Sequence, residues 1–177
     1  MYMRLRQLLT TFATVAALSF TGLVATASAQ TVQIGVKKVS DGDTITGFTE
    51  QGTKVKVRLY GIDAPEVGHP NKPGQTGGEE ARIALHNKIA GKPVTIEVKS
   101  ADRYKRIVAI VRLGSRDINR EMVQDGHAWA YRQYLSRPYA SIYLDAESAA
   151  REQRLGLWRQ NNPQPPWQFR KAVKQGV

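Results

Sequence analysis

Carboxylates and arginines recur in the predicted turns and strand ends of the first half of the chain. Asp41-Gly42-Asp43-Thr44 is followed by Arg58 and then by Asp63-Ala64-Pro65-Glu66. Turns at one rim of a small barrel can converge, and carboxylates that converge either repel one another or hold a cation. Hard oxygen ligands of this kind suit Ca²⁺ or Mg²⁺. The sequence has no His/Cys cluster with the spacing of a zinc site.

These motifs differ in how much each indicates by itself. Asp41-Gly42 is a common hairpin turn, so the first motif alone favours a plain turn over a metal site. The second is more informative, because Pro65 stiffens the backbone between two carboxylates and partly fixes their relative position. Its alternative is a loop with solvated acids.

Two arginines, Arg58 and Arg106, extend the set toward phosphate chemistry. A guanidinium can donate two parallel N–H bonds to a phosphodiester. Hydrolysis builds charge on the phosphoryl oxygens, and arginines with a divalent cation stabilise that charge. A glutamate such as Glu66 can hold the attacking water. Each arginine taken singly is more commonly an ordinary surface charge.

The overall charge favours a polyanionic partner. The chain of 177 residues carries 26 Lys+Arg against 15 Asp+Glu, a formal net charge of +11. Basic side chains displace the counterions condensed on nucleic acid, although anionic lipid and polysaccharide would also be attracted. Cysteine is absent, so the core must hold without disulfides.

Residues 1–29 have the layout of a secretory signal peptide. Arg4 and Arg6 precede an uncharged, mostly apolar stretch over 8–24, and Ala27-Ser28-Ala29 predicts cleavage before Gln30. An uncleaved anchor is the alternative, but Thr, Ser and Gly interrupt a short stretch. We therefore expect an exported protein, periplasmic or secreted, with no membrane span in the mature chain.

The rest of the sequence predicts an α+β fold, a β-barrel with appended helices. Strands are expected over 32–39, 44–48, 54–60, 94–98 and 107–113, and helices over 79–90, 117–125 and 140–154. This proportion is typical of a five-stranded barrel of the oligonucleotide-binding type (OB-fold). We expect one domain over 30–159 and, because of its prolines, an extended and irregular tail over 160–177.

Several separated motifs, in order, resemble the staphylococcal nuclease (thermonuclease) family. The resemblance covers most of the mature chain, from about Val36 to Trp158. The matching segments are 39–44 (VSDGDT), 57–59 (VRL), 61–66 (GIDAPE), 78–81 (GEEA), 102–106 (DRYKR) and 156–158 (GLW). A chance match of all six in this order is improbable.

The resemblance implies a five-stranded OB-fold barrel with about three α-helices, and a calcium site. Asp43 and Asp63 would be the carboxylate ligands of Ca²⁺. Ala64 occupies the position that donates a backbone carbonyl to the metal. The family often has Thr there, but any residue supplies the carbonyl.

The same resemblance implies the reaction and its catalytic residues. Glu66 would position or deprotonate the attacking water, and Arg58 and Arg106 would clamp the phosphate and stabilise the transition state. The implied reaction is hydrolysis of DNA or RNA with little sequence specificity, leaving 3′-phosphate ends. A monomer would suffice for it.

One departure affects the second arginine. The family usually has Gly directly before it, whereas this chain has Lys105. If that position needs a positive φ, Lys costs of order 1 kcal/mol in strain. The turn could instead relax and change the direction of the Arg106 side chain.

Aromatic and basic residues predict where the substrate is held beyond its phosphate. By resemblance, Tyr104 and either Tyr131 or Tyr134 would border the nucleotide pocket, and Arg103 stands beside Tyr104. Such rings can stack on unpaired bases, although many Tyr and Trp side chains simply pack in a core.

Two other function classes compete with a nuclease. A non-catalytic nucleic-acid-binding module on the same barrel would lack one of the acids or arginines, and here every expected residue type is present. A basic adhesin or polysaccharide binder would explain the charge and the export. It gives no reason for these acids and arginines in this order.

Overall fold

The computed structural model describes residues 30–176, so the predicted signal peptide lies outside the described residues. The strands are β1 (Thr31–Asp41), β2 (Thr44–Phe48), β3 (Lys54–Leu59), β4 (Ile62–Asp63), β5 (Pro93–Ala101), β6 (Ile107–Leu113), β7 (Arg116–Asp117) and β8 (Trp129–Ala130). The α-helices are α1 (Gly78–Ile89), α2 (Ile118–Gln124), α3 (Tyr139–Glu152) and α4 (Pro166–Gln175), with short 3₁₀ turns at Arg132–Tyr134 and Gly156–Arg159.

Five strands close into a barrel. In β3 the alternation of Lys and Val turns Val57 and Leu59 into the core, where both are buried. Antiparallel pairing runs from β3 through β2, β1 and β5 to β6, and β3 then pairs in parallel with β6 to complete the ring. The predicted five-stranded barrel with appended helices is confirmed.

The residues of interest lie where neighbouring strands end. Asp43 is in the turn between β1 and β2, and Thr44 at the start of β2 pairs with Arg58 near the end of β3. The short strand β4 then carries Asp63, which pairs with Trp129 of β8. Chain order and strand pairing thus bring three separated segments to one rim of the barrel.

Helix α1 packs against this rim closely enough to require two glycines. A Cβ at Gly42 would lie 2.6 Å from the Cβ of Ala81 and 2.7 Å from that of Ala64. A Cβ at Gly78 would lie 2.2 Å from the carbonyl oxygen of Glu66. Both glycines therefore let the first turn of α1 support the backbone on which Asp43 and Glu66 stand.

The C-terminal segment differs from the expectation. Residues 160–177 were predicted to be extended and irregular, but ten of them form α4, with Pro166 at its first turn. Proline is compatible with that position because the first N–H groups of a helix have no partner within it. The described residues therefore contain four α-helices rather than about three. No helix among residues 30–176 is long and apolar enough to cross a membrane.

Candidate active site

Arg58 lies at the rim and binds both aspartates that are predicted to ligate calcium. Its Nη1 is 2.6 Å from Oδ2 of Asp43, and its Nη2 donates to Oδ1 of Asp63 at 2.8 Å. The backbone N–H of Ala64 also donates to Oδ2 of Asp43, at 2.8 Å. Asp63 is 0% exposed and Asp43 is 6% exposed. The structure thus brings Asp43, Asp63, Ala64 and Arg58 together, as the sequence predicts.

Carboxyl groups are concentrated around this arginine. Burial and the neighbouring Asp43 raise the pKa of Asp41 to about 8. Burial also raises the pKa of Asp63, although Arg170 and Arg58 oppose the shift. Burial alone would lower the pKa of Arg58, but the nearby carboxylates more than offset this and raise it. A bound cation would stabilise the ionised form of such neighbouring carboxyl groups and so lower their pKa values.

The donor set fits a hard divalent cation. Asp43 and Asp63 supply carboxylate oxygens and Ala64 can supply a carbonyl, and such oxygen ligands suit Ca²⁺. Within residues 30–176, no three acidic, His or Cys side chains form a ready-made ligand cluster. The two aspartates face guanidinium groups instead, so a cation would have to share or replace those partners.

Glu66 stands beside the aspartates, after the rigid Pro65. Its Oε2 accepts from Nζ of Lys72 at 2.5 Å, and its Oε1 accepts from Nη1 of Arg170 at 2.9 Å. Its backbone carbonyl accepts from the N–H of Gln75 at 2.8 Å. Burial would raise the pKa of Glu66, but Lys72 and Arg170 lower it overall. The side chain is therefore an ionised carboxylate, and each of its oxygens is paired with a basic side chain.

Arg106 reaches the same rim from the turn between β5 and β6. Its Nε donates to Oδ2 of Asp102 at 2.7 Å, and its Nη1 lies 3.5 Å from Oγ1 of Thr44. Thr44 in turn donates to Oδ1 of Asp43 at 3.1 Å. Arg106 is thus one side chain away from the aspartates, and its predicted catalytic role stays a prediction.

The residue before Arg106 has the conformation that Gly would favour. Lys105 has φ = 60°, in the left-handed region. Asp102 holds the turn, because its Oδ1 accepts from the backbone N–H groups of Tyr104 at 2.9 Å and Arg106 at 3.0 Å. The turn therefore holds Lys105 in the left-handed region, which costs a residue other than glycine of order 1 kcal/mol.

The predicted base-stacking residues fall into two groups. Tyr104 is 65% exposed, with the guanidinium carbons of Arg103 and Arg106 at 4.9 and 5.5 Å from its ring centre. Tyr131 and Tyr134 lie on the other side, with ring centres 4.8 Å apart. Tyr134 is 58% exposed. Tyr131 is partly covered, because the ring of Trp167 lies parallel to it at 5.2 Å.

Three residues around the site were missed by the sequence analysis. Lys72 binds Glu66, Arg170 binds Asp63 and Glu66, and Trp167 covers Tyr131. The available signal was Pro165-Pro166 directly before Trp167, a pattern typical of a helix start. Even with α4 assigned, nothing in the sequence indicates which surface the helix would contact.

The fold and the site together define an OB-fold barrel with a rim of acids and arginines. A family model described as staphylococcal nuclease homologue matches residues 56–160, more than half of the chain. The chain belongs to this family. A relative named uncharacterized endonuclease, from Haemophilus influenzae, is 42% identical over 139 residues, which cover 78% of this chain and 73% of the relative.

Two further relatives extend the comparison. A protein named micrococcal nuclease, from Shigella flexneri, is 39% identical over 148 residues, covering 78% of this chain and 80% of its own. A probable endonuclease from Saccharomyces cerevisiae is 37% identical over 127 residues, covering 67% of this chain and 46% of the relative. The similarity thus spans bacterial and yeast proteins.

Proposed function

We propose that this protein is an exported, calcium-dependent nuclease that hydrolyses the phosphodiester bonds of DNA and/or RNA. The observation that carries the proposal is the arrangement of two buried aspartates around Arg58, with the ionised Glu66 beside them. The names of the three relatives support the same class of reaction. Export, to the periplasm or the medium, is supported by the signal-peptide pattern of residues 1–29.

The residues divide the chemistry among them. Asp43, Asp63 and the Ala64 carbonyl would hold Ca²⁺, which would polarise the phosphate. Glu66 takes a proton from water, and the resulting hydroxide attacks phosphorus. The bond from phosphorus to the 5′-oxygen breaks, and that oxygen takes a proton from solvent. The products are a 3′-phosphate and a 5′-hydroxyl.

The arginines would raise the cleavage rate without making cleavage sequence-specific. Arg58 and Arg106 would donate hydrogen bonds to the phosphoryl oxygens as charge develops on them. Contacts to phosphate carry no sequence information, and stacking on exposed rings such as Tyr104 accepts any base. We therefore expect cleavage with little sequence preference.

The first experiment measures cleavage of single-stranded DNA by the purified protein, with calcium and then with a chelator. We expect cleavage that chelation abolishes and that added calcium restores, with 3′-phosphate ends on the fragments. Salt-sensitive binding without cleavage would instead indicate the non-catalytic binding module on the same barrel.

The Glu66→Gln substitution tests the role of the carboxylate. Gln keeps the shape but cannot take a proton, so we expect the cleavage rate to fall by about 10²–10⁴-fold while DNA binding is retained. Glu79→Gln is the matched control, because Glu79 is an exposed glutamate of α1 whose ion pair within residues 30–176 is with Arg82. A wild-type rate in Glu66→Gln would remove Glu66 from the mechanism.

A further inference from the structure

The C-terminal helix α4 covers part of the site described above. Trp167, in its first turn, stacks on Tyr131 with ring planes 2° apart, and meets the ring of Trp129 edge-on at 5.5 Å. The segment leading into α4 is tied to the loop between β4 and α1, because Nε2 of Gln75 donates to the carbonyl of Gln164 at 2.6 Å. These contacts fix which side of α4 faces the barrel rim.

One turn further along the helix, Arg170 binds the acids themselves. Its Nη2 donates to Oδ2 of Asp63 at 2.8 Å, and its Nη1 donates to Oδ1 of Asp63 at 3.1 Å. The same Nη1 donates to Oε1 of Glu66 at 2.9 Å. One guanidinium therefore engages both oxygens of a predicted calcium ligand and one oxygen of the predicted base.

These contacts compete with what the proposed reaction needs. A divalent cation at Asp63 requires carboxylate lone pairs that Arg170 now uses, and the two positive charges would repel each other. Glu66 must accept a proton from water through an oxygen that Arg170 holds. Trp167 meanwhile covers a ring face of Tyr131 on which a nucleobase could stack. The guanidinium of Arg170 therefore occupies the place of the metal cation at Asp63, and the ring of Trp167 occupies the place of a nucleobase on Tyr131.

Few residues of α4 are themselves buried, although Trp167 packs against a buried hydrophobic cluster. Pro166 is the only buried residue of α4, and the side chain of Arg170 remains 31% exposed. Segments with few buried contacts open at much lower free energy than the core. The barrel rim, in contrast, is held by the buried pairing of Arg58 with Asp43 and Asp63.

We propose that α4 is an autoinhibitory cap that a divalent cation and nucleic acid together displace. That the helix inhibits an enzyme rests on the proposed function. The competition between Arg170 and the cation for Asp63 and Glu66 does not depend on it. Docked, the helix holds the enzyme inactive. Undocked, it releases the acids to the cation and the ring of Tyr131 to the substrate.

Calcium binding in the absence of nucleic acid tests the competition directly. Titration calorimetry of the wild type, Arg170→Gln and Lys171→Gln compares two substitutions with the same change of charge on one helix. Lys171 is exposed and has no described contact with the site. We expect Arg170→Gln to bind Ca²⁺ at least about fivefold tighter than wild type, and Lys171→Gln to match wild type. Equal affinity in all three would overturn the cap.

Trp167→Ala separates docking from charge. It keeps Arg170 but removes the stack on Tyr131, so we expect calcium affinity to rise here too, by less than in Arg170→Gln. If only Arg170→Gln binds tighter, the effect is local charge and not displacement of a helix, and the cap is overturned.

Cleavage of single-stranded DNA at limiting calcium completes the test. The cap predicts faster cleavage by Arg170→Gln and Trp167→Ala than by wild type. If wild type cleaves and Arg170→Gln does not, Arg170 is a phosphate-binding arginine of the reaction, and the cap fails while the nuclease stands. If no variant cleaves but both bind calcium more tightly, the cap stands and the nuclease assignment fails.

Discussion

Arg58 and Arg106 carry the same predicted role in very different surroundings. Arg58 ends a barrel strand and binds two buried carboxylates that come from different segments. Arg106 follows a hairpin turn and is held by Asp102, four residues earlier in the same turn. The first guanidinium is positioned by two long-range ion pairs, whereas the second has its shortest contact within its own turn and only a longer one, 3.5 Å, to Thr44.

The difference indicates which arginine can tolerate change. Both ion-pair partners of Arg58 are also predicted metal ligands. A change at Arg58 would therefore alter the position and charge of the metal site as well. Around Arg106, the direction of the guanidinium depends on its ion pair with Asp102, on a long hydrogen bond to Thr44 and on a turn that contains the left-handed Lys105. Substitutions near Arg58 should therefore act on the whole site, and substitutions near Arg106 should act through the contact that each removes.

Of the substitutions that test this contrast between the two arginines, Arg58→Lys is expected to have the largest effect. Lysine keeps the charge but cannot span two carboxylates or donate two parallel bonds to phosphate. We expect the cleavage rate to fall by about 10²–10³-fold, the usual cost of losing one donor to transition-state charge. The measurement is the initial rate on single-stranded DNA, with circular dichroism to verify folding.

Arg120→Lys is the control for this substitution, because Arg120 is exposed on α2. We expect it to cleave at the wild-type rate. Wild-type turnover in Arg58→Lys would mean that Arg58 only holds the aspartates apart, and the contrast with Arg106 would then be structural rather than catalytic.

A smaller effect is expected from Asp102→Asn, which tests Asp102 as a positioning residue. Asn keeps a hydrogen-bonding oxygen but loses the charge that holds the guanidinium of Arg106. The pair is partly exposed, so we expect a loss of about three- to tenfold in rate, roughly 1 kcal/mol.

A double-mutant cycle identifies the route of this effect. If Asp102 acts through Arg106, then Asp102→Asn should have no further effect on the rate in an Arg106→Ala background. Additive losses in the double mutant would show that Asp102 acts on the fold of the turn instead. Thermal unfolding of each variant distinguishes the two.

The barrel side of the site could be predicted from the sequence because its signals are local or repeated in order. The alternation in 54–60 predicts a strand that the structure places at Lys54–Leu59, and the strand predicted over 107–113 has the bounds of β6. The six ordered motifs then predict which carboxylates converge. The possible strain at Lys105 could also be stated in advance, because the requirement for positive φ belongs to one turn.

The C-terminal side of the site could not be predicted in the same way. The prolines at 163, 165 and 166 indicated an irregular tail, but Pro166 begins a helix. The contacts of Trp167 and Arg170 join residues more than 30 positions apart. No helical or strand periodicity in the sequence relates either residue to its partner. Long-range docking of a short helix depends on the finished surface of the barrel, which no local pattern describes.

The smallest effect is expected from Lys105→Gly, which tests the turn that positions Arg106. Glycine adopts φ = 60° without the steric cost that a side chain brings, although it also loses more entropy on folding. We expect the free energy of unfolding to rise by about 0.5–1 kcal/mol, measured by thermal or denaturant unfolding. Lys105→Ala is the control, because it removes the charge and keeps the strain, and should give no gain. If both variants are stabilised equally, the cost at this position comes from positive charge beside Arg103 and Arg106 rather than from the backbone, and the turn would then position Arg106 without strain.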